Sequence, residues 1–333
     1  MRSVCALSAV LLLAGCASHH KLAPAASDGR YVMGTVLEIT LHPAGGADGR
    51  AALDALFAEA EHLDARLSTY VPASEISRVN AKAARSAQAV SPEVAEILRD
   101  AQQYAQLTRG AFDVSVAPLI ELWKRAAERG SAPSGAELEA ARARVGARLF
   151  EVTDVDAVRF AREGVALDLG GIAKGYALDR MLPLLRERRV ESALLSFGQS
   201  STWAVGAPPG HAGWRLLLRG PAGGFLGVIT LMDQALSVSA ALGQSSEIGG
   251  QRYGHILDPR DGRPLTRRRQ VVVVARSAAL AEALSTALLV LDVEEGLTLV
   301  TAQEDCEALL TDADGGVRET VGFRRAVAFE PLE

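Results

Sequence analysis

Four short stretches of the chain carry residue types that could do chemistry. In residues 165–179, VALDLGGIAKGYALD, an apolar segment runs into Gly170-Gly171 and then a helical pattern with Lys174 in its first turn. Free amide N–H groups at a helix start, glycines that let a ligand approach the backbone, and a nearby ammonium together favour an anion, typically a phosphate. The spacing matches neither GxGxxG nor the Walker pattern. The same glycines equally serve a plain strand-to-helix turn, with Lys174 solvated and Asp168 a simple N-cap. In residues 279–291, ALAEALSTALLVL, Glu282, Ser285 and Thr286 are the polar exceptions on an apolar helix. Positions i, i+3 and i+4 share a face, so a carboxylate and hydroxyls point together. Such oxygen donors suit a hard cation, Mg²⁺ or Ca²⁺, and the absence of Cys and His there argues against zinc. The bland alternative is a partly exposed Glu beside hydroxyls bonded back to their own helix.

The third stretch, residues 253–262 (YGHILDPRDG), brings His255 into a Pro- and Gly-rich turn. Its imidazole could donate to a phosphate or shuttle a proton near neutral pH. Asp258 before Pro259 reads as a turn former, and Arg267–Arg269 as a solvated face. Last, Gly110-Ala111-Phe112-Asp113 follows a helix end, where a bend presents a ring and a carboxylate to a heterocycle, or is only a C-cap.

The elements that must position these residues follow from periodicity. Residues 31–41 alternate as one strand, and 47–67 place Leu53, Leu56, Phe57, Ala60, Leu63 and Leu67 at helical spacing. Ser91-Pro92-Glu93 opens a second helix that Gly110 stops. Residues 118–128 are helical, and Ser134 with Glu137 forms a capping box. From residue 158 onward short strands dominate, at 165–169, 193–197, 214–218, 226–231, 236–239 and 271–275, interrupted by helices at about 172–187 and 279–291. Helices early and strands late predict an α+β fold, a helix-rich N-terminal part packed on mixed or antiparallel sheets.

With 49% apolar and 23% charged residues in 333, the chain has the make-up of a globular protein, which excludes wholesale disorder. Its formal charge of −5 supplies no global attraction for nucleic-acid phosphates. The N-terminus combines Arg2, an apolar run from Val4 to Ala14, and Leu13-Ala14-Gly15-Cys16. This is the layout of an export signal with a lipoprotein box. It predicts a signal peptide over 1–15, a diacylated Cys16, a tether over 16–29 and a folded domain over 30–333. The protein would then be lipid-anchored in a bacterial cell envelope, facing the periplasm. Cys5 leaves with the signal and Cys16 carries lipid, so Cys306 is left without a disulfide partner.

Six ordered segments closely resemble the ApbE family of FAD:protein FMN transferases: MGT at 33–35, LSTYVPASEISRVN at 67–80, GAFDVSVAPLIELW at 110–123, LDLGGIAKGYALDR at 167–180, GHILDPRDGRP at 254–264 and ALSTALLVL at 283–291. The resemblance implies the fold of that family and a Mg²⁺-dependent transfer of FMN from FAD to a Thr or Ser hydroxyl, with release of AMP. The acceptors it implies are exported or membrane redox proteins, such as Rnf-type or NADH:quinone reductase subunits. It also implies FAD contacts at Met33, Tyr70, Ala111, Phe112, Asp113, Asp168, Lys174 and Ile256, and metal ligation by the Gly171 carbonyl, Glu282 and Thr286. His255, Lys174 and Asp168 become the candidates for catalysis. Three positions depart from the family pattern. Glu282 stands where the family has Asp, Ser196-Phe197-Gly198-Gln199-Ser200 replaces a Gly-Gly-Asn-like turn, and Val238-Ser239-Ala240-Ala241-Leu242 replaces Thr-Ser-Gly-x-Tyr. An FAD pyrophosphatase yielding FMN and AMP, or a flavin-binding lipoprotein without activity, would use the same segments.

Overall fold

The computed structural model describes residues 25–332 apart from 199, 222, 313 and 314. The expected signal peptide and the Cys16 lipidation site lie outside the described residues. Strand β1 (Ala26–Val32) turns back into β2 (Thr35–Pro43), and helices α1 (Gly49–Leu67) and α2 (Glu75–Lys82) follow. Next come β3 (Gln88–Ala89), α3 (Pro92–Leu107), α4 (Ala117–Arg129), α5 (Gly135–Arg142), β4 (Phe150–Val152) and β5 (Ala157–Phe160). Helix α6 (Ala173–Glu187) leads into β6 (Val190–Phe197), β7 (Ser201–Val205), β8 (Trp214–Arg219), β9 (Phe225–Leu231) and β10 (Gln234–Ala240). The hairpin β11 (Ser245–Ile248) and β12 (Gln251–Gly254) precedes β13 (Arg269–Ala275), α7 (Ala278–Val290) and α8 (Val293–Thr301). The chain ends in β14 (Glu307–Asp312), β15 (Val317–Glu319), α9 (Phe323–Val327) and β16 (Glu330–Pro331).

An eight-stranded sheet, in the order β1-β2-β6-β7-β10-β13-β14-β15, forms the middle layer. Its interior strand β13 is buried at all seven positions, which accounts for the unbroken apolar run from Val271 to Ala275. Val271, Val273 and Ala275 face α7 and α8, while Val272 and Val274 face α9 and the β16-β9-β8 sheet. The fold is α+β as expected. Where mixed or antiparallel sheets were expected, every strand pair among the described residues is antiparallel. No helix among these residues is long and apolar enough to cross a membrane. Cys306 is free and buried, and burial pushes its thiol up to about 12.

Three expectations need correction. The single strand over 31–41 is a hairpin, because Met33 (φ 51°) and Gly34 (φ 75°) both take left-handed backbone and form a two-residue turn. The tether does not reach residue 29, since β1 starts at Ala26 and pairs with Leu41. Residues 165–169 are not a strand, although they are largely apolar and buried. Their backbone finds other partners: the Leu167 N–H donates to Asn80 Oδ1 at 2.8 Å, Asn80 Nδ2 donates to the Leu167 carbonyl at 2.9 Å, and the Asp168 N–H donates to the Val114 carbonyl at 2.7 Å. A side-chain amide thus replaces the missing sheet neighbour.

Helices α6 and α7 meet at their first turns, and the contact is close. A Cβ on Gly175 would lie 2.4 Å from the Ala278 carbonyl oxygen, so only glycine fits. Each helix caps the other. Asp179 of α6 accepts from the Ala278 N–H at 2.8 Å and the Ala279 N–H at 3.0 Å at the start of α7. Glu282 of α7 accepts from the Gly175 N–H at 2.8 Å at the start of α6. Ser277 Oγ and Trp203 Nε1 also donate to Asp179, both at 2.8 Å. Asp179→Ala strands these donors together, and is expected to lower the unfolding free energy by about 2–4 kcal/mol. A urea melt followed by circular dichroism reads this, and an unchanged midpoint would remove Asp179 from the role.

Candidate active site at the α6–α7 junction

The start of α6 holds an anion, and that anion belongs to the chain itself. Asp168 does not cap the helix. Its Oδ1 accepts from the Gly170 N–H at 2.8 Å and forms a turn ahead of the helix, while Ile172 stands at the N-cap without a side-chain bond. The amide of Gly175, in the first turn of the helix, is bonded to Glu282 instead of being free for a phosphate. Glu282 is only 4% exposed, so the alternative of a partly exposed carboxylate fails. Its Oε1 accepts from the Ser201 hydroxyl and lies 3.2 Å from Lys174 Nζ, which also donates to the Gly170 carbonyl at 3.4 Å. Lys174 is therefore not merely solvated.

Residues from three of the four stretches converge around this carboxylate. A Cβ on Gly171 would lie 3.2 Å from the edge of the Phe112 ring and 3.8 Å from Thr286 Oγ1, which puts these three groups side by side. Thr286 stands one helical turn beyond Glu282 on α7. Asp113 is buried and accepts from the Ser115 N–H at 2.8 Å and hydroxyl at 2.6 Å. Burial raises its carboxyl pKa, against these hydrogen bonds. Ala111 is buried beside it. A cleft of about 350 Å³ is bordered by Gly110, Asp113, Arg142, Gly146, Pro259 and Arg260, between this segment and the His255 loop.

The loop after β12 is pinned at several points. The Gly254 N–H donates to the Leu265 carbonyl at 2.8 Å, Arg260 pairs with Asp258, and Trp123 Nε1 donates to the Gly262 carbonyl at 2.8 Å. Ile256 packs partly buried against two core clusters. His255 Nδ1 lies 3.1 Å from the Gln244 carbonyl. A carbonyl only accepts, so Nδ1 carries the proton and Nε2 of the neutral ring is left as acceptor. His255 as a whole residue is exposed, yet burial of part of the ring lowers its pKa. The Gln244 carbonyl opposes that shift and the nearby Lys174 charge adds to it.

Met33 and Tyr70 make no hydrogen bond to the residues gathered at Glu282. Met33 sits on the β1–β2 turn, where its N–H donates to Asp64 Oδ2 at 3.1 Å, and Tyr70 is 92% exposed after α1. The Met33 turn adjoins the segment that delivers Ser201, since a Cβ on Gly198 would strike Thr35 Oγ1 at 2.4 Å. Several participants went unread in the sequence. Ser201 serves Glu282, while Ser237 and Ser239 reach the Ser285 hydroxyl at 2.9 and 2.8 Å. The two serines at i and i+2 on a strand flanked by apolar residues were a usable signal, because alternate residues share one sheet face.

The donor set suits a hard cation. Among the described residues no group of three or more His, Cys, Asp or Glu side chains gathers to hold a metal, so a site here must mix donor types. Glu282 offers a buried carboxylate already matched to a positive charge, with a hydroxyl on Thr286 and the backbone of Gly171 beside it. All are oxygen donors of the kind Mg²⁺ prefers.

With this arrangement in place, the comparisons are decisive for the family. The ApbE family model matches residues 33–310. This chain belongs to the ApbE family. An FAD:protein FMN transferase of Vibrio cholerae is 29% identical over 321 residues, covering 94% of this chain and 95% of that one. One from Rhodobacter capsulatus is 32% identical and covers 95% of this chain but 61% of its own length. Among solved structures, the flavin transferase ApbE of Vibrio cholerae superposes with a TM-score of 0.79 at 26% identity, over 91% of this chain and 99% of that one. The ApbE protein of Thermotoga maritima gives 0.82 at 26% identity, over the same shares of 91% and 99%.

Two results are expected from the electrostatics. In an NMR titration the His255 ring protonates with a midpoint below the ordinary imidazole value of 6.5. Lys174→Ala moves that midpoint up, because a repelling charge is gone. A midpoint unmoved by Lys174→Ala would show that the two side chains do not sense each other.

Proposed function

We propose that this chain is an FAD:protein FMN transferase that uses Mg²⁺, joins FMN to a Thr or Ser hydroxyl of an exported or membrane redox protein, and releases AMP. The observation that carries the reading is the buried Glu282, held beside Lys174, Thr286 and Gly171 at the junction of two helix starts. Family membership and the names of the relatives support the flavin chemistry.

The residues divide the work. Gly171, Glu282 and Thr286 would hold the metal, which when bound supplies charge neutralisation at a pyrophosphate. Lys174 turns its ammonium to the FAD pyrophosphate. Ala111, Phe112 and Asp113, next to the cleft, receive the nucleotide, with Asp168, Ile256, Met33 and Tyr70 completing its surroundings. His255 Nε2 takes the proton of the acceptor hydroxyl as that oxygen forms its bond to the phosphorus nearer the flavin. The bond from that phosphorus to the bridging oxygen breaks, and the electron pair leaves with AMP. Positioning and charge stabilisation carry most of the rate. The same proposal places the protein in the bacterial cell envelope, facing the periplasm. There a signal peptide over residues 1–15 is removed and a lipid on Cys16 anchors the domain to a membrane.

The test incubates the protein with FAD and a Thr-bearing acceptor domain, with Mg²⁺ or with EDTA. AMP and an acceptor heavier by one FMN are expected with Mg²⁺ only. AMP with free FMN would show a pyrophosphatase instead, and no AMP would refute both enzymatic readings. His255→Gln is expected to lower kcat by about 10²- to 10⁴-fold. The acid limb of the wild-type kcat/KM profile has its midpoint below 6.5, because the base works only as the neutral ring and its pKa is lowered. A Gln variant that keeps both rate and acid limb would remove His255 from the proton transfer.

A further inference from the structure

We propose that Ser201 is the positioning residue that makes a glutamate serviceable at the metal position of this chain. The inference rests on the proposed metal role of Glu282. Compared with the Asp of the family pattern, Glu282 has one more methylene and one more rotatable bond, so its carboxylate has more conformers to lose before it can ligate. The structure removes that freedom from both sides. Oε2 takes the Gly175 N–H at 2.8 Å, and Oε1 takes the Ser201 hydroxyl.

The three partners of this carboxylate differ in how firmly they are held. Gly175 is backbone, locked by its contact with Ala278. Ser201 is 2% exposed at the start of β7, in register with Phe197 of β6 and Ser237 of β10, so strands on both sides fix it. Lys174 has a long flexible stem, and its side chain is 22% exposed. When Lys174 swings to a pyrophosphate, Gly175 and Ser201 remain and keep the carboxylate in place. Ser201 lies directly after the Ser196–Ser200 segment that departs from the family pattern. Ser200 Oγ lies 3.4 Å from Ser201 Oγ, so the altered segment adjoins the hydroxyl that holds Glu282.

The experiment is a Mn²⁺ titration of the full chain with FAD present and acceptor absent, free Mn²⁺ being read by electron paramagnetic resonance. Ser201→Ala is expected to weaken Mn²⁺ binding about 10-fold or more, the usual effect of losing a hydrogen bond to a metal ligand. Ser201→Thr, which keeps the hydroxyl, stays within about 3-fold of wild type by the same reasoning. Glu282→Asp weakens binding in the wild-type background and has little further effect in Ser201→Ala, because the shorter arm no longer reaches the hydroxyl. Thermal melts confirm that each variant is folded, and a misfolded Ser201→Ala leaves the Thr and Asp variants to decide. Wild-type affinity in Ser201→Ala, or equal losses in Ser201→Ala and Ser201→Thr, would overturn the proposal. Glu282→Ala separates the two claims. If it binds Mn²⁺ like wild type, or wild type itself binds none, the metal reading fails. If it loses binding while Ser201→Ala does not, only the role of Ser201 fails.

Discussion

A carboxylate taken out of water must recover its lost hydration from fixed donors, and at Glu282 those donors organise the rest of the site. Two come from α6, the Gly175 N–H and the flexible Lys174, and one comes from β7. Meeting that demand forces the α6 and α7 starts together, and this in turn requires glycine at 175. Two helix N-termini so placed bring two positive partial charges close to each other, which is unfavourable without anions between them. Asp179 and Glu282 are those anions, one from each helix. The reciprocal capping is thus the structural joint of the site, and it leaves Lys174 as the cation that faces a further anion.

Much of this was legible in the chain because local rules and tertiary roles coincide there. Helices α1, α3 and α4 follow their apolar spacing, and Ser134 with Glu137 forms the capping box its spacing predicts. Glu282 stood out as a lone carboxylate on an apolar helix, and it is buried. The departures have physical causes. Residues 165–169 have the composition of a strand, but composition does not say whether the neighbour is another strand or the side chain of Asn80. The β1–β2 turn hid in an alternating run because Met33 takes a backbone angle that is uncommon outside Gly, Asn and Asp.

The partners of Glu282 were harder to read. Ser201 and Gly175 are separated from it by 81 and 107 positions, and nothing in their own neighbourhoods marks them as donors to a carboxylate. Asp179 was visible only as part of a matching segment, since an acid inside a helix pattern ordinarily belongs to a solvated face. Hydrogen-bond partners across a sheet are set by register, and the register here emerges from the whole eight-stranded order. Composition and spacing pick out groups with chemical potential. The fold decides which of them meet.

The division between fixed and movable donors bears on how such a site can work. A group that orients a metal ligand is most effective when it is itself held in place before the metal arrives. Gly175 and Ser201 meet this condition because helix contact and sheet register hold them. Lys174 does not, and its stem gives it a different use: it can neutralise Glu282 at one time and a pyrophosphate at another. A second cation at Glu282 then lets Lys174 leave without stranding a buried charge. In the proposed reaction, binding of the metal and engagement of the substrate would be coupled through one ammonium group, with no movement of the backbone required.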